Sequence, residues 1–81
     1  MLIIDPSGTI TQTKIKGKVS LDKLQRLVGG YIEIVRLPGR NIAIVNEDGI
    51  GLGMAINPIA SQTIGVPVVG TVVILPASAL P

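Results

Sequence analysis

The sequence predicts an α+β fold. It reads as a small single domain with a mostly antiparallel sheet of about five strands, one main helix over residues 20–28 and a short second helix over 58–63. Three observations carry this. The chain is 47% hydrophobic yet holds one aromatic residue, Tyr31, so its core is built from Ile, Val and Leu, and β-branched side chains favour strands. Ser20 to Val28 alone combines a helical apolar stripe with caps at both ends. Elsewhere, short apolar or alternating segments are punctuated by Pro, Gly, Asn and Asp, as strands separated by turns are. A largely β, barrel-like arrangement is the alternative that the Gly and Val content leaves open.

Each element follows from local chemistry. Leu2 to Ile4 is a short apolar strand, and Asp5-Pro6-Ser7-Gly8 is a turn, since Pro fixes φ and Gly accepts positive φ. Thr9 to Lys16 returns as a second strand and completes a hairpin. Ser20 caps the helix, with Val19 stapled to Leu24. Asp22 and Arg26 complement the two ends of the helix dipole, Leu21, Leu24, Leu27 and Val28 form the apolar stripe, and Gly29 terminates it.

Tyr31 to Leu37 and Asn41 to Asn46 are strands joined by Leu37-Pro38-Gly39-Arg40, whose Pro-Gly pair is the signature of a type II turn. Both faces of these strands are partly apolar, as expected if one packs on the helix and the other on a neighbouring subunit. Asn46-Glu47-Asp48-Gly49 is a polar turn. If Gly49 to Met54 is extended, the alternating Gly49, Gly51 and Gly53 leave one face as bare backbone, open to close approach. Asn57-Pro58 suits a helix start, Val66 to Leu75 is the last strand, and residues 76–81 read as a loose C-terminal tail on a domain spanning residues 1–75.

Composition narrows the function classes. A domain of 81 residues buries only about 60–65% of its unfolded surface and needs a further source of stability. With no Cys and no His, disulfides and the common zinc sites are excluded, which leaves oligomerisation. The last charged residue is Asp48, and the uncharged run from Gly49 to Pro81 needs cover from the rest of the domain and from other copies. The net charge of +2 and pI near 9.4 are too mild for a dedicated nucleic-acid binder with a single aromatic. Its most apolar run, Ile64 to Leu75, is about 12 residues against the ~20 of a membrane span. No secretory signal is visible, and the expected location is cytoplasmic.

No catalytic constellation is present. Without His or Cys, Ser-His and Cys-His acyl transfer are excluded. Glu47 and Asp48 read as solvated turn acids rather than a metal site, and no cofactor motif is met: the Gly49-x-Gly51-x-Gly53 spacing fits neither a Rossmann fingerprint nor a Walker loop. The candidate ligand-binding set is therefore polar and lies at the strand ends: Tyr31, Glu33, Arg36, Arg40, Asn46, Glu47 and Asn57. Tyr31 offers a stacking face, Arg36 and Arg40 a fork for phosphate or carboxylate, and Asn46 and Asn57 paired donors and acceptors. The same residues have plain structural roles, the arginines as solvated turn charges, Asn46 as a turn residue and Asn57 as a helix cap. Lys14, Lys16 and Lys18 share one face of an extended segment, either as protection of an edge strand or as an anion-binding stripe.

Val28-Gly29-Gly30-Tyr31-Ile32-Glu33, Asn46-Glu47-Asp48-Gly49, Asn57 to Ala60 and Gly70-Thr71-Val72-Val73 together resemble a family of short, uncharacterised proteins encoded by bacteriophages and mobile elements. The resemblance covers Leu21 to Ile74 and implies an accessory role. The expected function is that of a non-enzymatic oligomer sequestering a small anionic, nucleotide-type ligand such as a host-defence signal. The alternative is an interaction module that binds and blocks a host protein.

Overall fold

The computed structural model describes residues 1–81. Strands β1 (Leu2–Ile4), β2 (Ile10–Gln12), β3 (Ile32–Arg36), β4 (Asn41–Asn46) and β5 (Val72–Pro76) form one sheet in the order β2-β1-β5-β4-β3. Every neighbouring pair is antiparallel. Two helices, α1 (Leu21–Val28) and α2 (Pro58–Ile64), complete the α+β domain.

The alternation of the central strands assigns the helices to opposite faces. Ile42, Ile44, Val73 and Leu75 point one way and pack with Val19, Leu24 and Val28 of the α1 side. Ala43, Val45, Val72 and Ile74 point the other way and pack with Ile4, Val68 and Ala60 of α2. Both central strands are thus apolar on both faces, as a sheet covered twice requires. The second apolar face is met by α2 and the segment that follows it, which lie within the same chain.

The helices start and stop where their caps place them. Ser20 Oγ accepts the Lys23 N–H at 3.1 Å, and Gly29 closes α1 at φ 80°, a left-handed conformation that glycine adopts at little cost. Asn57 caps α2 with Pro58 in the first turn. The β3–β4 turn holds Gly39 at φ 79°, the positive value a type II turn needs at its third residue.

Four segments differ from the sequence expectation. The second strand is Ile10–Gln12 alone; Thr13 still exchanges backbone hydrogen bonds with Met1. Lys14 to Lys18 then leave the sheet, because Val19 is drawn into the core and its N–H donates to Ala79 O at 2.8 Å. Gly49 to Met54 is a tight turn rather than an extended piece, closed by Leu52 N–H to Asp48 O (2.9 Å) and Met54 N–H to Gly49 O (3.0 Å). The last strand begins at Val72, not Val66, since Pro67 to Gly70 fold back on α2 and the residues before it: Val68 N–H donates to Ser61 Oγ, Asn57 N–H to Val68 O, and Gly70 N–H to Ala55 O. Residues 76–81 are not loose. Pro76 pairs with Asn41, Ala77–Ala79 form a 3₁₀ turn, and Ala79 is buried in the α1-side core.

The uncharged run from Gly49 is covered in part by its own domain, supplying Ala60, Val68, Val72 to Leu75 and Ala79 to the two cores. Ile50, Leu52, Ile56 and Val66 stay exposed. No helix is long and apolar enough to cross a membrane.

Candidate functional site

The seven candidate residues from the sequence do not form one site. Strand β3 separates them: at about 3.3 Å per residue, Tyr31 and Arg36 lie roughly 17 Å apart along the strand. The register Ile32↔Asn46 and Arg36↔Ile42 puts Asn46 and Glu47 at the Tyr31 end and the two arginines at the turn end. Neither arginine lines a cavity. Tyr31 is 69% exposed, and its backbone carbonyl accepts the Glu47 N–H at 2.9 Å.

Two of the seven are structural. Asn57 is 0% exposed; its Nδ2 donates to Ile4 O (2.8 Å) and Gly70 O (2.9 Å), and its Oδ1 accepts the Ala60 N–H. Asn46 is almost as buried, with Nδ2 donating to Val28 O and Oδ1 accepting from Asp48 N–H at 2.7 Å. Asn57 has both amide N–H groups engaged and Asn46 one of its two, in the cap and turn roles that this fold uses.

Glu33, Asn46 and Glu47 do meet, with Asp48, around a cavity of about 360 Å³ walled by Val45, Val66 and Pro67. Three of the chain's five carboxylates gather there without a lysine or arginine. This end repels anions. No three of these acids converge as ligands on a common metal ion.

The basic site lies where the chain leaves the Met1 and Thr13 end of β1 and β2 and enters α1. Lys14, Lys16, Lys18 and Lys23, all the lysines of the chain, line a single cavity of about 270 Å³ with Met1 and Ser20, over a floor of Ile15 and Val19. The fold assembles it from three constraints. The Thr13–Met1 hydrogen bonds hold the chain where it leaves β2. Val19 is anchored in the core beside Ala79. Ser20 then starts α1, which returns Lys23 to the same opening.

The electrostatics are uniform. No carboxylate lines the cavity, and the one ion pair of the protein joins Arg26 to Asp22, so every lysine lacks an acidic partner. Lys18 Nζ donates to Ser78 O at 2.7 Å, which fixes that ammonium while leaving its charge uncompensated. The positive end of the α1 dipole adds to the same field. Because Lys14 to Lys18 are not on a strand, edge protection does not explain them. The spacing of three alternating lysines followed by a fourth in the first helical turn was the available sequence signal; what it did not show is that the core anchor at Val19 brings them together.

A family model described as a domain of unknown function, DUF3846, matches residues 1–79, and the chain belongs to that family. No curated protein and no solved structure matches it.

Proposed function

We propose that this DUF3846 domain is a non-enzymatic binding module that assembles with itself and sequesters a small anionic, nucleotide-type ligand through the four-lysine cavity. The observation that carries the reading is the collection of Lys14, Lys16, Lys18 and Lys23 around one opening without a carboxylate. Four ammonium groups lining one cavity bring like charge to it, which an anion with several phosphate oxygens would neutralise. Lysines act as point charges toward phosphate, so the cavity selects for charge density, and the apolar floor of Ile15 and Val19 accepts a nonpolar edge. The arginine, tyrosine and asparagine set expected from the sequence is replaced in this role by the lysines. With neither His nor Cys in the chain, sequestration fits it better than turnover. In a phage or mobile-element setting, acting in the host cytoplasm, the ligand would be a nucleotide signal of host defence.

Isothermal titration against cyclic mononucleotides, cyclic dinucleotides and cyclic ADP-ribose species at low salt tests this. Heat with at least one member, weakened by Lys14→Gln and Lys16→Gln, is the expected result, with the ligand recovered intact. Absence of heat across the panel would count against the reading.

A second reading rests on a different observation. Ile50, Ile56 and Val66 are at least half exposed around the open end of α2, a surface of the kind a protein partner covers. On that reading the domain binds and blocks a host protein, and affinity capture from host lysate lost on Ile50→Asp would favour it.

A further inference from the structure

We propose that the open edge of β3 pairs with the same edge of a second copy, in an antiparallel register centred on Ile34. This rests on the reading that the protein assembles with itself and is independent of which ligand it holds.

The argument begins with the hydrogen-bond parity of the strand. Tyr31 O accepts from Glu47 N–H, and Leu37 N–H donates to Asn41 O. With the Ile34↔Ile44 register between them, the odd-numbered residues of β3 bond β4. The N–H and C=O groups of Ile32, Ile34 and Arg36 therefore point to the open edge, where the sheet order ends.

This edge strand runs five residues with no proline, lysine or bulge, its charges being Glu33 and Arg36, whereas the opposite edge strand, β2, is only three residues long. Long unprotected edges invite pairing. Next to it, Ile34 is 47% exposed, an aliphatic side chain at the centre of the strand with no partner beside it.

The register follows from symmetry. Two identical antiparallel strands related by a two-fold axis place some residue opposite itself, in either kind of pair. Centring on Glu33 would set two carboxylates together, and centring on Val35 would engage only Ile34 and Arg36 and bring Ile32 against Pro38, which has no N–H. Centring on Arg36 would set two guanidinium groups opposite each other. Centring on Ile32 would leave Arg36 beyond the paired region. Centring on Ile34 engages all three outward residues, makes about six main-chain hydrogen bonds, and packs Ile34 on its own mate. Arg36 then lies over Ile32 of the second copy, Glu33 opposite Val35, and Tyr31 opposite Leu37, so no like charges face each other.

The test is native mass spectrometry at micromolar concentration on the wild-type chain, on Ile34→Lys, on Ile34→Glu, and on an equimolar mixture of the two variants. The expected wild-type species is a dimer of the 8.4 kDa chain. Each variant alone places like charges opposite each other and runs as a monomer, while the mixture restores a one-to-one heterodimer because Lys faces Glu. Circular dichroism establishes that both variants keep the native fold, as an exposed position allows. A monomeric wild type, variants that stay dimeric, or a mixture that fails to pair would each overturn the proposal. None of these outcomes bears on anion binding at the lysine cavity, which the calorimetric titration measures independently.

Discussion

The side-chain amide of Asn57 donates to the carbonyl of Ile4 at 2.8 Å, joining the start of α2 to the end of β1 in the interior. A second bond from the same nitrogen reaches Gly70 O, and the carbonyl oxygen caps α2. An exposed helix cap accepts Asp as readily as Asn. Here Asp keeps the cap but has no N–H for two buried carbonyls and brings a charge inside. Asn57→Asp is expected to cost about 2–4 kcal/mol, and Asn57→Ala about 2–3 kcal/mol. Urea unfolding measures both. An Asp variant as stable as the wild type would show that the amide donors carry no weight.

The glycines of the Gly49–Gly53 turn separate by what surrounds them. A Cβ on Gly49 would sit 2.8 Å from Val69 Cγ2, on a β-branched side chain with few rotamers to escape into. At Gly51 the nearest atom is Asp48 O at 3.5 Å, an ordinary contact. Gly49→Ala should therefore destabilise by about 1–3 kcal/mol through overpacking, and Gly51→Ala by less than ~0.5 kcal/mol. Equal effects in thermal unfolding would mean that the Gly49–Val69 approach is relieved by movement of the turn.

What could be read from the sequence was governed by range. The α1 helix, its caps at Ser20 and Gly29, the β4 strand and the Asn57-Pro58 start of α2 are set by neighbours within a few residues, and they stand where local chemistry places them. The placement of the candidate site residues depends on contacts of longer range. Asn46 and Asn57 look like free recognition groups in sequence, but Val28 engages the first and Ile4 and Gly70 the second. The arginines look close to Tyr31 in sequence, but a strand is extended, so five residues carry them to the other end. The lysine cavity depends on Val19 meeting Ala79 across the chain, a contact invisible to any local pattern.

The lysine cavity predicts a salt response of the free protein. Mutual repulsion of Lys14, Lys16, Lys18 and Lys23 opposes the fold, and it is screened over about 8 Å at physiological ionic strength. Melting temperature should rise from low to moderate NaCl, and the rise should shrink in the Lys14→Gln/Lys16→Gln double variant without loss of stability at low salt. An unchanged salt response in that variant would mean that the ammonium groups are too far apart to interact.

Removing residues 76–81 separates a docked terminus from a loose one. Within this segment Pro76 pairs with Asn41, Ala77 N–H donates to Arg40 O at 2.8 Å, and Ser78 O and Ala79 O accept from Lys18 and Val19. Ala79 is 5% exposed, in the same cluster as Leu24 and Val28. A frayed tail could be deleted at no cost, but this deletion opens the α1-side core and frees the anchor that shapes the lysine segment. A chain ending at Leu75 should lose about 3 kcal/mol or more, since net hydrogen bonds contribute about 1 kcal/mol each before the exposed core is counted. Anion affinity should fall with it, under conditions where the shortened chain is still folded, because Val19 no longer holds Lys18 and Lys23 at one opening. Urea titration and calorimetry on the truncated chain read the two effects. Stability within experimental error of the full chain would show that Ala79 contributes nothing to the core. Full affinity in a destabilised chain would show that the cavity forms without its anchor.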